Sequence, residues 1–439
     1  MVRFRLNYEE LLEKYGFLEE PVDLRNLVKD EDYYFTPGGV APTVFSMLRE
    51  LINQGFISNA RWVSLNPNAP SEVLYEGIQI YNIQLPSQYI LRYTSFKEGI
   101  WREFHGLGKM EAKVEEYKAF VTYNWLCAQK MLELLPSVDL FWVHDFQQLQ
   151  VGSFLRFSAP VVFRWHIPFR LELVSQKLKT FILRNIENYN AIIVSTKRDL
   201  EGLIQAGFKG KAYQLYPYID PSKWDKVGNA ELNRTMAKFN ISDEDDVILV
   251  VARMDSVKGQ DIAVKALALL RKEYPNVKLL LVGNGSFTSS GLGYSKGETW
   301  RRNLENLVRE LNVKDSVKFT GYVDEEELKC LYTRADVVLL PSRMEGFGLT
   351  VVEAWNYMKP VVVSKGAGAS ELIIEGVNGL THESGNHEDL YKKLRYIFEH
   401  REEALKIGQA GYETAKQCTI AASTERLKTI FESVLKNNN

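Results

Sequence analysis

The sequence predicts an α/β protein built from two doubly wound domains, and three observations carry that expectation. At 439 residues the chain exceeds what one hydrophobic core commonly supports. From about Asp246 onward, short apolar runs alternate with helix-patterned segments at the spacing of βαβ units in a parallel sheet. Tyr216-Pro217-Tyr218-Ile219-Asp220-Pro221, whose prolines disfavour helix, interrupts the chain near its middle.

In the first half, apolar runs predict strands over 61–65, 78–85, 140–143, 161–163 and 191–194. A first helix is expected over 43–53, with Val44, Met47, Leu48, Leu51 and Ile52 on one face. The second half is more regular. Strands are expected at 247–251, 279–282, 317–319, 337–340 and 361–363, with helices such as 262–272 and 300–311 between them. The expected boundaries are a first domain over 1–218, a second over 219–415, and a terminal segment 416–439 whose helix crosses back to the first domain. The first thirty residues suggest only a packing helix through Leu11, Leu12 and Phe17.

Composition narrows the function. With 54 basic and 56 acidic residues, the net charge of −2 gives no bulk reason to expect nucleic acid or an anionic membrane as partner. Any anion must therefore be bound locally. Cys127, Cys330 and Cys418 are far apart and form no metal or disulfide pattern, which points to a reducing cytoplasm. The N-terminal residues lack the apolar core of a signal peptide, and no apolar run approaches the ~18 residues of a membrane span. Asp30-Glu31-Asp32 and Asp243-Glu244-Asp245-Asp246 read as solvated carboxylates at element boundaries, so no metal and no resident cofactor are expected. Oligomeric state is left open.

Chemistry concentrates where strands give way to helices. Glu345-Gly346-Phe347-Gly348-Leu349-Thr350-Val351-Val352-Glu353 follows an expected strand and places its second carboxylate about two helical turns in. The carboxyl ends of parallel strands are where doubly wound sheets bind ligands. Arg253 and Lys258, in Arg253-Met254-Asp255-Ser256-Val257-Lys258-Gly259, follow another strand and supply two cations. Cations aimed at a departing diphosphate act in the transition state rather than on binding alone. Gly38-Gly39-Val40-Ala41 precedes the first helix, and Gly283-Asn284-Gly285 forms a loop beside the site. In the first domain, Trp142-Val143-His144-Asp145 ends one strand and Arg164-Trp165-His166-Ile167-Pro168-Phe169 the next. His166 is expected to be walled by Trp165, Pro168 and Phe169, with Asp145 holding an acceptor hydroxyl. His105, His382, His387 and His400 read as structural.

Together these residues resemble the retaining glycosyltransferases of the GT-B fold, in which two Rossmann-like domains face each other across a cleft; the likeness spans about residues 33–415. It implies an acceptor-binding first domain and a nucleotide-sugar-binding second one. Within the glycogen-synthase and sucrose-synthase-like group, the Glu345–Glu353 run implies that Glu345 contacts the donor sugar and Glu353 the ribose. Gly346, Phe347, Gly348 and Leu349 join Gly38 and Gly39 in donor binding. Arg253 and Lys258 match the diphosphate pair, and His166 the histidine beside the donor sugar. The first-domain runs and Arg253–Gly259 are similar to trehalose-6-phosphate synthases, where Lys296 falls at the acceptor-phosphate position. Met344-Glu345-Gly346-Phe347-Gly348-Leu349-Thr350-Val351 and Gly38-Gly39-Val40-Ala41 are instead similar to trehalose glycosyltransferring synthase, which uses free glucose.

The implied reaction is metal-independent transfer of glucose, with retention, from UDP-glucose or ADP-glucose. Glucose 6-phosphate is the favoured acceptor, giving trehalose 6-phosphate; trehalose synthesis from free glucose and another GT-B hexosyl transfer are the alternatives. A sugar-nucleotide epimerase and a sugar-nucleotide-binding regulator are rival readings. Turnover with and without an acceptor tells them apart.

Overall fold

The structure, a computed structural model, describes residues 4–35, 40–283 and 293–436. The chain forms two compact units, one of Met1–Leu215 with Thr424–Asn439 and one of Tyr216–Ser423.

The first unit carries strands β1 (Phe4–Arg5), β2 (Val22–Asp23), β3 (Tyr34–Phe35), β4 (Arg61–Leu65), β5 (Glu72–Tyr75), β6 (Ile78–Ile83), β7 (Phe141–His144), β8 (Val161–Arg164), β9 (Ala191–Val194) and β10 (Ala212–Gln214). A parallel sheet runs β10-β9-β8-β7, and a mixed sheet runs β2-β5-β6-β4. β8 and β9 are buried at every position, as continuous apolar strands covered on both faces must be. The β2-β5-β6-β4 sheet is mixed because β5 and β6 form an antiparallel hairpin. Its turn, Glu76-Gly77, has positive φ at both residues, the geometry that matches strand twist.

Helix Val40–Asn53 buries Ala41, Val44, Phe45, Met47 and Leu51. The helices Ser87–Phe104 and Val114–Glu133 pack Tyr93, Phe96 and Phe104 with Phe120, Tyr123 and Cys127 in the main core of this unit. Residues of the last helix, Ile420–Leu435, join the same unit. Phe431 meets Trp142 edge-on at 5.5 Å, and the Tyr213 and Ser433 hydroxyls are 3.0 Å apart.

The second unit holds β11 (Asp246–Val251), β12 (Val277–Val282), β13 (Val317–Gly321), β14 (Val337–Leu340), β15 (Val361–Ser364) and β16 (Leu380–His382), in a parallel sheet ordered β13-β12-β11-β14-β15-β16. Val247 and Leu249 enter one core while Ile248 and Val250 enter the other, so the period-two alternation of a strand divides one apolar run between two helix layers. One layer includes Gln260–Leu270, Gly293–Glu310 and His387–Glu399. The other includes Glu325–Arg334 and Leu349–Asn356. From β11 the chain winds outward to β13 and then returns to β14 on the other side. β11 and β14 therefore flank the point where strand order reverses, the place where such sheets bind ligands.

Candidate active site

The loops leaving β11 and β14 are stitched together. The Arg343 N–H donates to the Val257 carbonyl at 2.7 Å, and the Arg343 guanidinium forms a two-pronged pair with Asp261 at 2.7 and 2.8 Å. Gly259 has φ +70°, and a Cβ there would lie 2.1 Å from the Pro341 carbonyl oxygen, so only glycine permits this approach. The stitch brings Lys258 to Glu345: Lys258 Nζ forms an ion pair with Glu345 Oε2, which also lies 3.4 Å from Ser342 Oγ. The pair is largely buried, with side chains 13% and 21% exposed. An ammonium has three donors, so this contact leaves Lys258 capacity for an incoming phosphate oxygen.

The turn after β15 fixes the backbone around Glu345. Glu345 N–H donates to the Gly366 carbonyl at 3.2 Å, Gly368 N–H to Glu345 at 3.1 Å and Ala369 N–H to Phe347 at 2.8 Å. Gly348 caps helix Leu349–Asn356 with φ +106°, where a Cβ would meet Leu340 Cδ2 at 2.2 Å. The Phe347 ring packs on Tyr216 at 5.6 Å within the core, so at this turn Phe347 has its backbone rather than its ring to offer. Leu349 likewise packs against the core. Arg253 lies on the same loop as Lys258, and its carbonyl accepts from Gln260 Nε2 at 2.7 Å. Gln260, buried, accepts in turn from Trp300 Nε1 at 3.0 Å.

Glu353 lies in the second turn of its helix and is bound to Tyr332, whose hydroxyl donates to Oε2 at 2.6 Å. Burial pushes its carboxyl up to about 7, against the opposing pull of that hydrogen bond.

In the first unit, Asp145 and His166 come together. The His166 N–H donates to Asp145 Oδ1 at 3.3 Å, and the Asp145 N–H donates to the Arg164 carbonyl at 2.7 Å. Asp145 has φ 65°, a left-handed conformation that costs on the order of 1–3 kcal/mol in a non-glycine residue. Such strain clusters at functional sites, and burial pushes this carboxyl up to about 6. His144 Nδ1 lies 3.0 Å from His166 Nε2, so one ring donates and the other accepts. Burial holds both imidazoles well below the usual histidine range, and the Arg164 charge adds to it. The expected wall around His166 is different in detail. Trp165 and Phe169 pack on each other at 4.7 Å in the core, and the ring against His166 is His144.

Gly38 and Gly39 lie outside the described residues, as do Asn284 and Gly285 of the Gly283 loop. Lys296 falls in helix Gly293–Glu310, with its side chain outside the described residues. Sequence reasoning missed Tyr332, Gln260, His144 and Thr350, whose hydroxyl is buried with no partner among the described residues at the start of the Leu349–Asn356 helix. His144 was legible from its place at the end of β7. Nothing near Tyr332 in sequence pointed to a carboxylate 21 positions away. Among the described residues no group of three His, Cys, Asp or Glu side chains gathers to hold a metal ion, and no helix is long and apolar enough to cross a membrane.

Two Rossmann-like units, the second with its cations and carboxylates at the reversal point of the sheet, define the GT-B class of fold. Residues 233–414 match the family model described as Glycosyl transferases group 1. Over 289 residues the chain is 28% identical to the trehalose synthase of Thermococcus litoralis, covering 64% of this chain and 66% of that one. Among solved structures, a trehalose-6-phosphate synthase superposes with a TM-score of 0.76 at 18% identity, covering 91% of this chain and 95% of the other. The Anabaena protein HepE in complex with UDP-glucose superposes with a TM-score of 0.63 at 19% identity, covering 85% and 99%.

Proposed function

We propose that this chain is a retaining glucosyltransferase that takes glucose from a nucleotide-glucose donor, UDP-glucose or ADP-glucose, and places it on a small sugar to form a trehalose-type product. The observation that carries this reading is the Lys258–Glu345 pair held at the junction of the β11 and β14 loops, with Arg253 on the same loop. A cation and a carboxylate side by side suit a donor with an anionic diphosphate joined to a sugar rich in hydroxyls. On this reading Arg253 and Lys258 hold the diphosphate as it gains charge during bond cleavage, while Glu345 accepts from sugar hydroxyls. Glu353 accepts from the ribose, and Thr350 adds a hydroxyl at the helix start. Gly38 and Gly39 would add backbone donors.

Asp145 and His166 are assigned to the sugar end. Asp145 is buried and strained, which fits a carboxyl held ready for an acceptor hydroxyl. His166 is neutral and so offers a hydrogen bond without a charge. A departing diphosphate oxygen takes the acceptor proton as the new glycosidic bond forms on the same face.

Two acceptors are in view. Glucose 6-phosphate is supported by the first-domain runs and by Lys296 on its helix. Free glucose is supported by the run Met344–Val351 and by the match to a protein named trehalose synthase. Incubating the full chain with UDP-glucose or ADP-glucose against glucose and glucose 6-phosphate, with products separated by chromatography, tests the reading. A new disaccharide or its phosphate is expected. Donor consumption that is indifferent to both acceptors would overturn it, and proton NMR of the product reports whether the linkage is α.

A further inference from the structure

We propose that Tyr332 is the positioning residue for the nucleoside end of the donor site: its hydroxyl holds Oε2 of Glu353 so that Oε1 is presented to a ribose hydroxyl. The inference rests on the donor reading above and adds a residue from another helix to it.

Three features support the assignment. Tyr332 is fully buried, and its hydroxyl donates to Oε2 at 2.6 Å, a charge-assisted distance. Its ring is clamped: it stacks on Tyr357 at 5.8 Å with 7° between planes and meets Trp224 edge-on at 5.7 Å. Those clamps are tied down themselves, because the Tyr357 hydroxyl donates to the Asp225 carbonyl at 3.2 Å and Asn356 Nδ2 to the Trp224 carbonyl at 3.2 Å. The helix bearing Tyr332, Glu325–Arg334, is fixed at its start by a reciprocal cap between Asp324 and Glu327. The hydroxyl therefore has little freedom to wander.

A carboxylate accepts from a vicinal diol most strongly when it is ionised and oriented. Burial works against ionisation of Glu353, and the Tyr332 hydrogen bond works for it. Removing the phenol leaves a half-buried carboxyl that favours its protonated form and is free to rotate. Both changes weaken a ribose contact while leaving contacts to phosphate and base in place.

Calorimetric titration of the full chain with UDP and with 2′-deoxy and 3′-deoxy UDP tests this. Tyr332→Phe should weaken UDP about ten- to a hundredfold, the size of a lost hydrogen bond to a charged group. It should change at least one deoxy nucleotide less than about threefold. Equal weakening of all three, or none, overturns the proposal, since a purely structural tyrosine would not distinguish ribose from deoxyribose. Glu353→Gln serves as reference: if it leaves UDP affinity unchanged, the donor reading itself fails, whereas a loss there with none in Tyr332→Phe removes Tyr332 alone. Should Tyr332→Phe not fold, a crystal of the unaltered chain with UDP decides. Oε1 on a ribose hydroxyl with Oε2 still on Tyr332 supports the assignment, and Oε2 transferred to the ribose contradicts it.

Discussion

Lys258 commits one ammonium contact to Glu345, and on the proposed donor reading its remaining donors serve the diphosphate. Arg253 lies on the same loop, its backbone pinned by Gln260 beyond the carboxyl end of β11. Arg253→Ala is therefore expected to lower turnover by about 10², by analogy with lost transition-state donors, with a melting temperature close to that of the parent. Unchanged turnover would remove Arg253 from the site. Glu353 makes a prediction in pH. Its carboxyl is held up to about 7, so the donor KM should rise as the pH falls below that value, and this limb should be absent in Glu353→Gln. Stability runs the other way. The native carboxyl keeps a proton that the unfolded chain, with a pKa of about 4.3, has already released. The stability owed to this group is full below about 4.3 and is lost as the pH climbs through 7. Urea denaturation at pH 5 and pH 8 should show Glu353→Gln gaining on the parent at the higher pH, and an equal difference at both would contradict the burial argument.

At the scale of elements, the site depends on how closely two loops approach. Gly259→Ala brings a Cβ against the Pro341 carbonyl at positive φ, and a loss of about 2–4 kcal/mol in denaturant unfolding is expected. Gly228→Ala is the control: nothing lies within 4 Å of its Cβ and its φ is negative, so a change within about 0.5 kcal/mol is expected. Parity of the two variants would show that the loop approach is not constrained. This geometry also marks what the sequence could reveal. β11, β12, β14 and β15 were legible because parallel strands covered on both sides are unbroken apolar runs. β5 and β10 were not. Glu72-Val73-Leu74-Tyr75 gains its place from the Glu76-Gly77 turn, and Ala212-Tyr213-Gln214 is a half-buried edge with no apolar run. Lys258 and Glu345 could be placed at strand ends from sequence, whereas their pairing needed the β11 and β14 neighbourhood. The His144–His166 contact joins two adjacent strand ends that sequence order leaves 22 residues apart.

At the scale of the whole molecule, each unit buries its own core, and the chain passes between units at Leu215–Tyr216 and again at Ser423–Thr424. Scanning calorimetry should resolve two transitions, with UDP raising the one that belongs to Tyr216–Ser423. A uniform shift of a single transition would argue against independent cores. On the proposed reading, the second unit holds a diphosphate through Arg253 and Lys258. Titrating UDP and UMP against the parent chain, Arg253→Ala and Lys258→Ala measures it most directly. UDP is expected to bind the parent at least about tenfold more tightly than UMP, roughly one charged hydrogen bond, with that margin lost in both variants. A margin that survives both substitutions would contradict it.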